Sequence, residues 1–93
     1  MNKLEFEKVL IYIKKFKEMS IATYFNGIID NATVSFIFID NNIYFGSFEN
    51  TLKTFNISNN PRIAAVINAV QIHGNCFKVL KHSDEYNFIL KNI

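Results

Sequence analysis

Ser20-Ile21-Ala22-Thr23-Tyr24-Phe25-Asn26-Gly27-Ile28 reads as an extended segment that enters a tight turn and starts back, and it decides the class of the whole chain. β-Branched and aromatic residues favour a strand, and Asn-Gly tolerates the positive φ angles that a two-residue hairpin turn requires. The return strand is read over residues 28–39, with Thr33 and Ser35 on one face and Val34, Phe36 and Phe38 on the other. Asp40-Asn41-Asn42 supplies the next turn and Ile43-Tyr44-Phe45-Gly46-Ser47 a third strand, so the centre of the chain is an antiparallel meander.

Working outward, Phe6, Val9, Leu10, Ile13 and Phe16 recur at helical spacing, while Lys3, Glu7, Lys8, Lys14 and Lys15 fall mainly elsewhere. That pattern predicts an amphipathic helix over residues 4–17, packed by one side on the sheet. On the other flank, residues 51–58 predict a short helix with Leu52 and Phe55 inward, stopped by Asn59-Asn60-Pro61. Strands are expected over residues 62–68 and 70–80, the second interrupted at Gly74 by a bulge or a close backbone approach. Ser83 caps a last helix over residues 83–92, with Asp84 and Glu85 in its first turn and Tyr86, Ile89, Leu90 and Ile93 as its apolar stripe. The expectation is a single domain over residues 1–93, mainly β with flanking helices, whose strands within residues 20–80 form a small antiparallel barrel.

Composition narrows the function. A chain of 93 residues that is 49% hydrophobic and 15% aromatic, with three Gly and one Pro, is neither disordered nor fibrous. Ten basic and eight acidic groups leave a formal charge of +2, too small for the single-sign field of a non-specific nucleic-acid binder, so no nucleic-acid partner is expected. Cys76 is the single cysteine, which excludes an intrachain disulfide and a cysteine metal cluster. No apolar run approaches the ~18 residues of a membrane span, and the N-terminus lacks a signal peptide's apolar block. A cytoplasmic protein with no membrane partner is therefore expected. The apolar supply is generous for this size, and Phe and Ile of the second strand and of the strand after Arg62 are expected to be exposed and covered by a second copy, giving a homodimer.

No nucleophile elbow, P-loop or metal-ligand spacing occurs, and no residue qualifies as a general acid or base. His73 reads as a wall residue or dimer contact, His82 as a solvated turn residue and Cys76 as a small hydrophobe. The informative stretch is Ile43-Tyr44-Phe45-Gly46-Ser47-Phe48-Glu49-Asn50-Thr51-Leu52-Lys53, a strand end followed by hydroxyl residues and a lysine as a helix opens. Free backbone N–H groups, two hydroxyls and an ammonium can together replace the hydration of a phosphate dianion, although Ser and Thr before a helix often serve only as caps.

Met19-Ser20-Ile21-Ala22-Thr23, Gly27, Ile43-Tyr44-Phe45-Gly46-Ser47, Thr51-x-Lys53, Asn56-Ile57, Asn60-Pro61-Arg62-Ile63-Ala64 and Val70-Gln71-Ile72-His73-Gly74 form an ordered set. In that order and spacing the chain resembles the pyridoxamine 5′-phosphate oxidase-related, FMN-binding split-barrel family. The resemblance implies a split β-barrel homodimer with FMN in a groove at the subunit interface, and a possible FMN-dependent oxidoreductase acting on a small-molecule redox substrate. It further implies that Gly46, Ser47, Thr51 and Lys53 surround the flavin phosphate, while residues 31–36 run beside the ring and offer backbone groups with the Thr33 and Ser35 hydroxyls. Two departures stand out. Leu52 takes the place where many members carry an arginine directly before the phosphate lysine, which removes a bidentate contact. The true oxidase carries a terminal substrate segment rich in Trp and Arg, whereas this sequence has no Trp, so pyridoxamine phosphate oxidation is not expected. The alternative is a cofactor-free dimeric split barrel acting as a binding or structural module. A small barrel that binds single-stranded nucleic acid through its aromatic residues is a third reading, which the modest charge disfavours.

Overall fold

The computed structural model describes residues 3–92, with side chains from Lys8 onward. The readings made above for the side chains of Lys3, Phe6 and Glu7, and for Ile93, lie outside the described residues. In chain order the elements are α1 (Lys3–Ile13), β1 (Glu18–Phe25), β2 (Ile28–Ile39), β3 (Asn42–Phe45), α2 (Leu52–Asn59), β4 (Arg62–Ile67), β5 (Val70–Asn75) and α3 (Asp84–Lys91). The five strands form one antiparallel sheet in the order β3-β2-β1-β4-β5.

Three tight turns set the register. Phe25 pairs with Ile28 across Asn26 (φ 50) and Gly27 (φ 82), and Ile39 pairs with Asn42 across Asp40 (φ 54) and Asn41 (φ 64). Ile67 pairs with Val70 across a turn whose first residue, Asn68, has φ 52. Asn, Asp and Gly occupy these left-handed positions because they enter them at least cost.

β2 serves two partners in succession. Its residues Ile28 to Ser35 pair with β1, and its residues Phe36 to Ile39 pair with β3. The backbone edge of residues 28–35 that faces away from β1 therefore has no strand beside it among the described residues. Strand alternation sends Met19, Ile21, Val34, Phe36, Ala65 and Ile67 to one side, where they join Ile13 of α1 in the core. Ile21 and Ile67 are fully buried, and burying a side chain of that size is worth about 1.5–3 kcal/mol relative to exposing it.

Several boundaries differ from the sequence reading. α1 stops at Ile13 rather than at residue 17, because the chain must be extended by Glu18 to pair with Ser35. Phe16 still packs on the core from the connecting turn. β3 ends at Phe45, leaving Gly46 and Ser47 in a loop. β5 ends at Asn75 rather than at residue 80, since its partner β4 begins at Arg62 and Pro61 offers only a carbonyl, which accepts from Cys76 N at 2.8 Å. Gly74 lies in regular register opposite Ile63, and a Cβ there would meet nothing within 4 Å, so it marks neither a bulge nor a close approach.

The exposed apolar residues also differ. On β2, Phe36 is buried and Phe38 half-buried, while Ile28 and Ile29 are exposed. On β4, Ile63 is half-buried and Ile67 fully buried, and Val66 is the exposed one. No helix among the described residues is long and apolar enough to cross a membrane.

Candidate anion-binding site

The site grows from the link between β3 and α2. Thr51 caps α2, with extended backbone (φ −88, ψ 155) and its Oγ1 accepting from Thr54 N at 3.3 Å. Starting the helix there turns Lys53 and Asn56 towards the sheet, three residues apart on one face. Leu52 and Phe55, expected inward, are instead 41% and 50% exposed. Phe55 lies edge-on to Phe25, with ring centroids 5.9 Å apart.

Hydrogen bonds hold this polar face down. Asn56 is 0% exposed and its Nδ2 donates to Thr23 Oγ1 at 3.2 Å and to Ile28 O at 3.3 Å, while its Oδ1 has no partner. Asn60, just beyond the helix, donates from Nδ2 to Tyr24 O at 2.8 Å and accepts from Arg62 N at 3.2 Å. Asn56 and Asn60 thus tie α2 to the β1–β2 hairpin and place its first turn beside β2.

Lys53 is 8% exposed, and its Nζ donates to Ser47 Oγ at 2.6 Å and to Thr51 Oγ1 at 3.4 Å. Both partners are neutral hydroxyls. Among the described residues the ion pair recorded is Lys78 with Glu49, so no carboxylate lies within 4.0 Å of Lys53. Nearly buried charges are ordinarily paired. Beside Lys53 lies a groove of about 560 Å³ lined by Thr33, Val34, Ser35, Gly46, Ser47, Phe48 and Lys53. It follows the stretch of β2 that β3 leaves unpaired.

A second concavity, about 270 Å³, sits on the apolar side of the sheet between β3 and the end of β5. Met19, Ile21, Phe45, Ala65 and Ile72 contribute to its wall, as does Cys76, and it contains no charged side chain. Burial pushes the Cys76 thiol above its usual range. His73 is exposed on β5, opposite Ala64, and His82 occupies a left-handed turn (φ 64) with its ring 6.0 Å from Tyr86. Of the two concavities, the groove is the one whose lining includes a charged side chain.

Of the residues singled out from sequence, Thr33, Ser35, Gly46, Ser47 and Lys53 meet in this groove, whereas Thr51 stands behind it. Thr54 was not singled out, yet its hydroxyl lies 2.9 Å from Ser47 Oγ and accepts from Thr51 Oγ1 at 3.0 Å. The signal for it was a hydroxyl residue one helical turn after the cap. An ammonium and the hydroxyl bonded to it, both on the groove wall, are donors that fit a phosphate group.

No family model and no curated protein sequence matches the chain. A solved structure does: that of a Listeria innocua protein described as a "putative pyridoxamine 5′-phosphate oxidase" superposes with a TM-score of 0.75. The match covers 97% of this chain and 77% of that one, at 17% identity. The fold is accordingly the split-barrel type, an antiparallel five-stranded curled half-barrel with flanking helices.

Proposed function

We propose that this split barrel is an FMN-binding flavoprotein, with the flavin phosphate held at Lys53 and Ser47. The supporting observation is the Lys53 ammonium, 8% exposed, bonded among the described residues only to hydroxyls and opening onto a groove. A dianionic ester would supply the charge that the protein itself withholds. The ring would lie along residues 31–36, where the outward hydroxyls of Thr33 and Ser35 and the unpaired edge of β2 face the groove.

Bound flavin would supply electron and hydride transfer between a small donor and acceptor. The chain's own part is to bind and orient. Lys53 and Ser47 would fix the phosphate end, and strand donors would steady negative charge on the ring. No side chain in the groove is an acid or base suited to proton transfer. A second copy would cover Ile28 and Ile29, giving a sedimentation mass near twice 10.8 kDa. A mass of one chain at micromolar concentration would remove that part of the reading.

A cofactor-free dimeric module is favoured by one feature: the hydroxyls of Ser47, Thr51 and Thr54 already bond to one another and to Phe48 O. Flavin titration separates the two. Changing Lys53 and Thr51 together to Ala should weaken FMN binding by several kcal/mol at most, hydrogen bonds to charged groups being worth ~1.5–3 kcal/mol each. A module without cofactor would show no flavin phenotype.

A further inference from the structure

We infer that the concavity between β3 and the end of β5 is a binding site for an uncharged aromatic molecule of one ring or a fused pair, covered by the segment of chain that leads to α3. The site is separate from the groove at Lys53, with which it shares no lining residue. Its floor is Met19, Ile21 and Ala65, at 4%, 0% and 3% exposure, so it reaches the core rather than dimpling the surface. Its volume of about 270 Å³ exceeds the ~150 Å³ in which an apolar cavity holds benzene, which leaves room for a second fused ring.

The wall sets the chemistry of the ligand. No charged side chain lines it, so an ion would lose its hydration there without compensation. Tyr44, Phe45 and Phe77 offer ring contacts, and the sulfur atoms of Met19 and Cys76 are polarizable groups that favour aromatic neighbours. The cover comes from the same chain. Phe77, just beyond β5, stands on one rim and Tyr44 of β3 on the other, and Tyr44 Oη donates to Glu85 Oε1 at 2.9 Å. Residues 78–84 therefore run from one rim to the other. None of them is buried and none lines the concavity, while Leu80 is 65% exposed. A segment held at both ends, with apolar side chains left in water, can settle on a ligand that gives those side chains an apolar surface.

The test titrates the full, methyl-labelled chain with indole and follows it by NMR. Methyl resonances of Met19, Ile21 and Ile72 should shift saturably, with a dissociation constant of about 1 mM or tighter, and Leu80 should shift with them as the segment settles. Indole-3-carboxylate, the same ring carrying a charge, should bind at least about tenfold more weakly. Ala65→Leu extends the floor into the space and should weaken indole at least about tenfold, in a variant shown to be folded by its thermal melt. Ala65→Val, a smaller filling change, replaces it should the leucine variant not fold. The absence of saturable shifts, shifts undiminished in the folded Ala65 variant, or a carboxylate that binds as tightly as indole would overturn the assignment. Nuclear Overhauser contacts from Leu80 to Ile21 in the free chain would give the space to the covering segment itself. Shifts of Met19 and Ile21 that follow protein concentration without indole would give it to a second copy, and either result would overturn the assignment.

Discussion

α2 and α3 are eight residues each, and each is capped by a hydroxyl that accepts from the third residue beyond it, yet they are used in opposite ways. α3 has the cleaner amphipathic pattern, with Asp84 and Glu85 leading and Lys91 closing, and it buries no residue at all. α2 has the poorer pattern and buries Lys53 and Asn56, while Leu52 and Phe55 stay outside. Apolar periodicity therefore misidentifies the helix that matters. α2 sits on the sheet through directed polar bonds, and these set the Lys53 ammonium against the Ser47 and Thr51 hydroxyls beside the groove. α3 reaches β3 through the hydrogen bond from Tyr44 to Glu85.

The largest effect expected from this contrast is at Asn56. Replacing it with Ala removes both of its hydrogen bonds and leaves Ile28 O and Thr23 Oγ1 without that donor inside the protein. A loss of about 2–3 kcal/mol in urea unfolding follows from leaving buried polar groups unpaired. A loss below about 0.5 kcal/mol, the range of ordinary surface changes, would mean that α2 is held by something other than its polar face.

Lys53→Met sharpens the same point with a change of opposite sign. Removing a nearly buried cation that has no carboxylate partner among the described residues should leave the melting temperature unchanged or raise stability by about 1 kcal/mol. A marked fall in melting temperature would show that the amine serves the fold and not a ligand.

The smallest effect belongs to α3. Tyr44 Oη donates to Glu85 Oε1 at 2.9 Å, and that bond to Glu85 first, then burial, raises the Tyr44 pKa above its usual 10.0. A raised pKa means that the folded state favours the protonated phenol, so the contribution is whole below the unfolded value and is lost as pH rises through the folded one. The methyl resonances of Ile89 and Leu90 should move above pH 10, and Tyr44→Phe should abolish that titration. Ile57, in α2, should not respond. Methyls of α3 that stay constant to high pH would mean that the helix is docked by other contacts.

Particular residues explain which parts were legible in advance. Asn26-Gly27 and Asp40-Asn41 announced their turns because few residues accept positive φ, and the burial of Val34 and Phe36 opposite Thr33 and Ser35 followed from strand alternation. The end of β5 was not legible, because Cys76 to Leu80 has strand-like composition and only the position of Pro61 shows that no partner remains. Lys53 could be chosen from its place after Thr51, but its burial could not, since that depends on Asn56 reaching Thr23 across 33 residues of chain. Thr54 escaped for a related reason: its role comes from converging on the Phe48 carbonyl, a contact made by the fold of the loop.

The account is tested most directly by titrating the purified wild-type chain and Lys53→Met with FMN, following flavin fluorescence and the melting temperature together. Saturable binding that raises the wild-type melting temperature, and that is lost in a fully folded Lys53→Met, is the predicted result. A wild-type chain whose fluorescence and melting temperature stay unmoved at saturating FMN would contradict it.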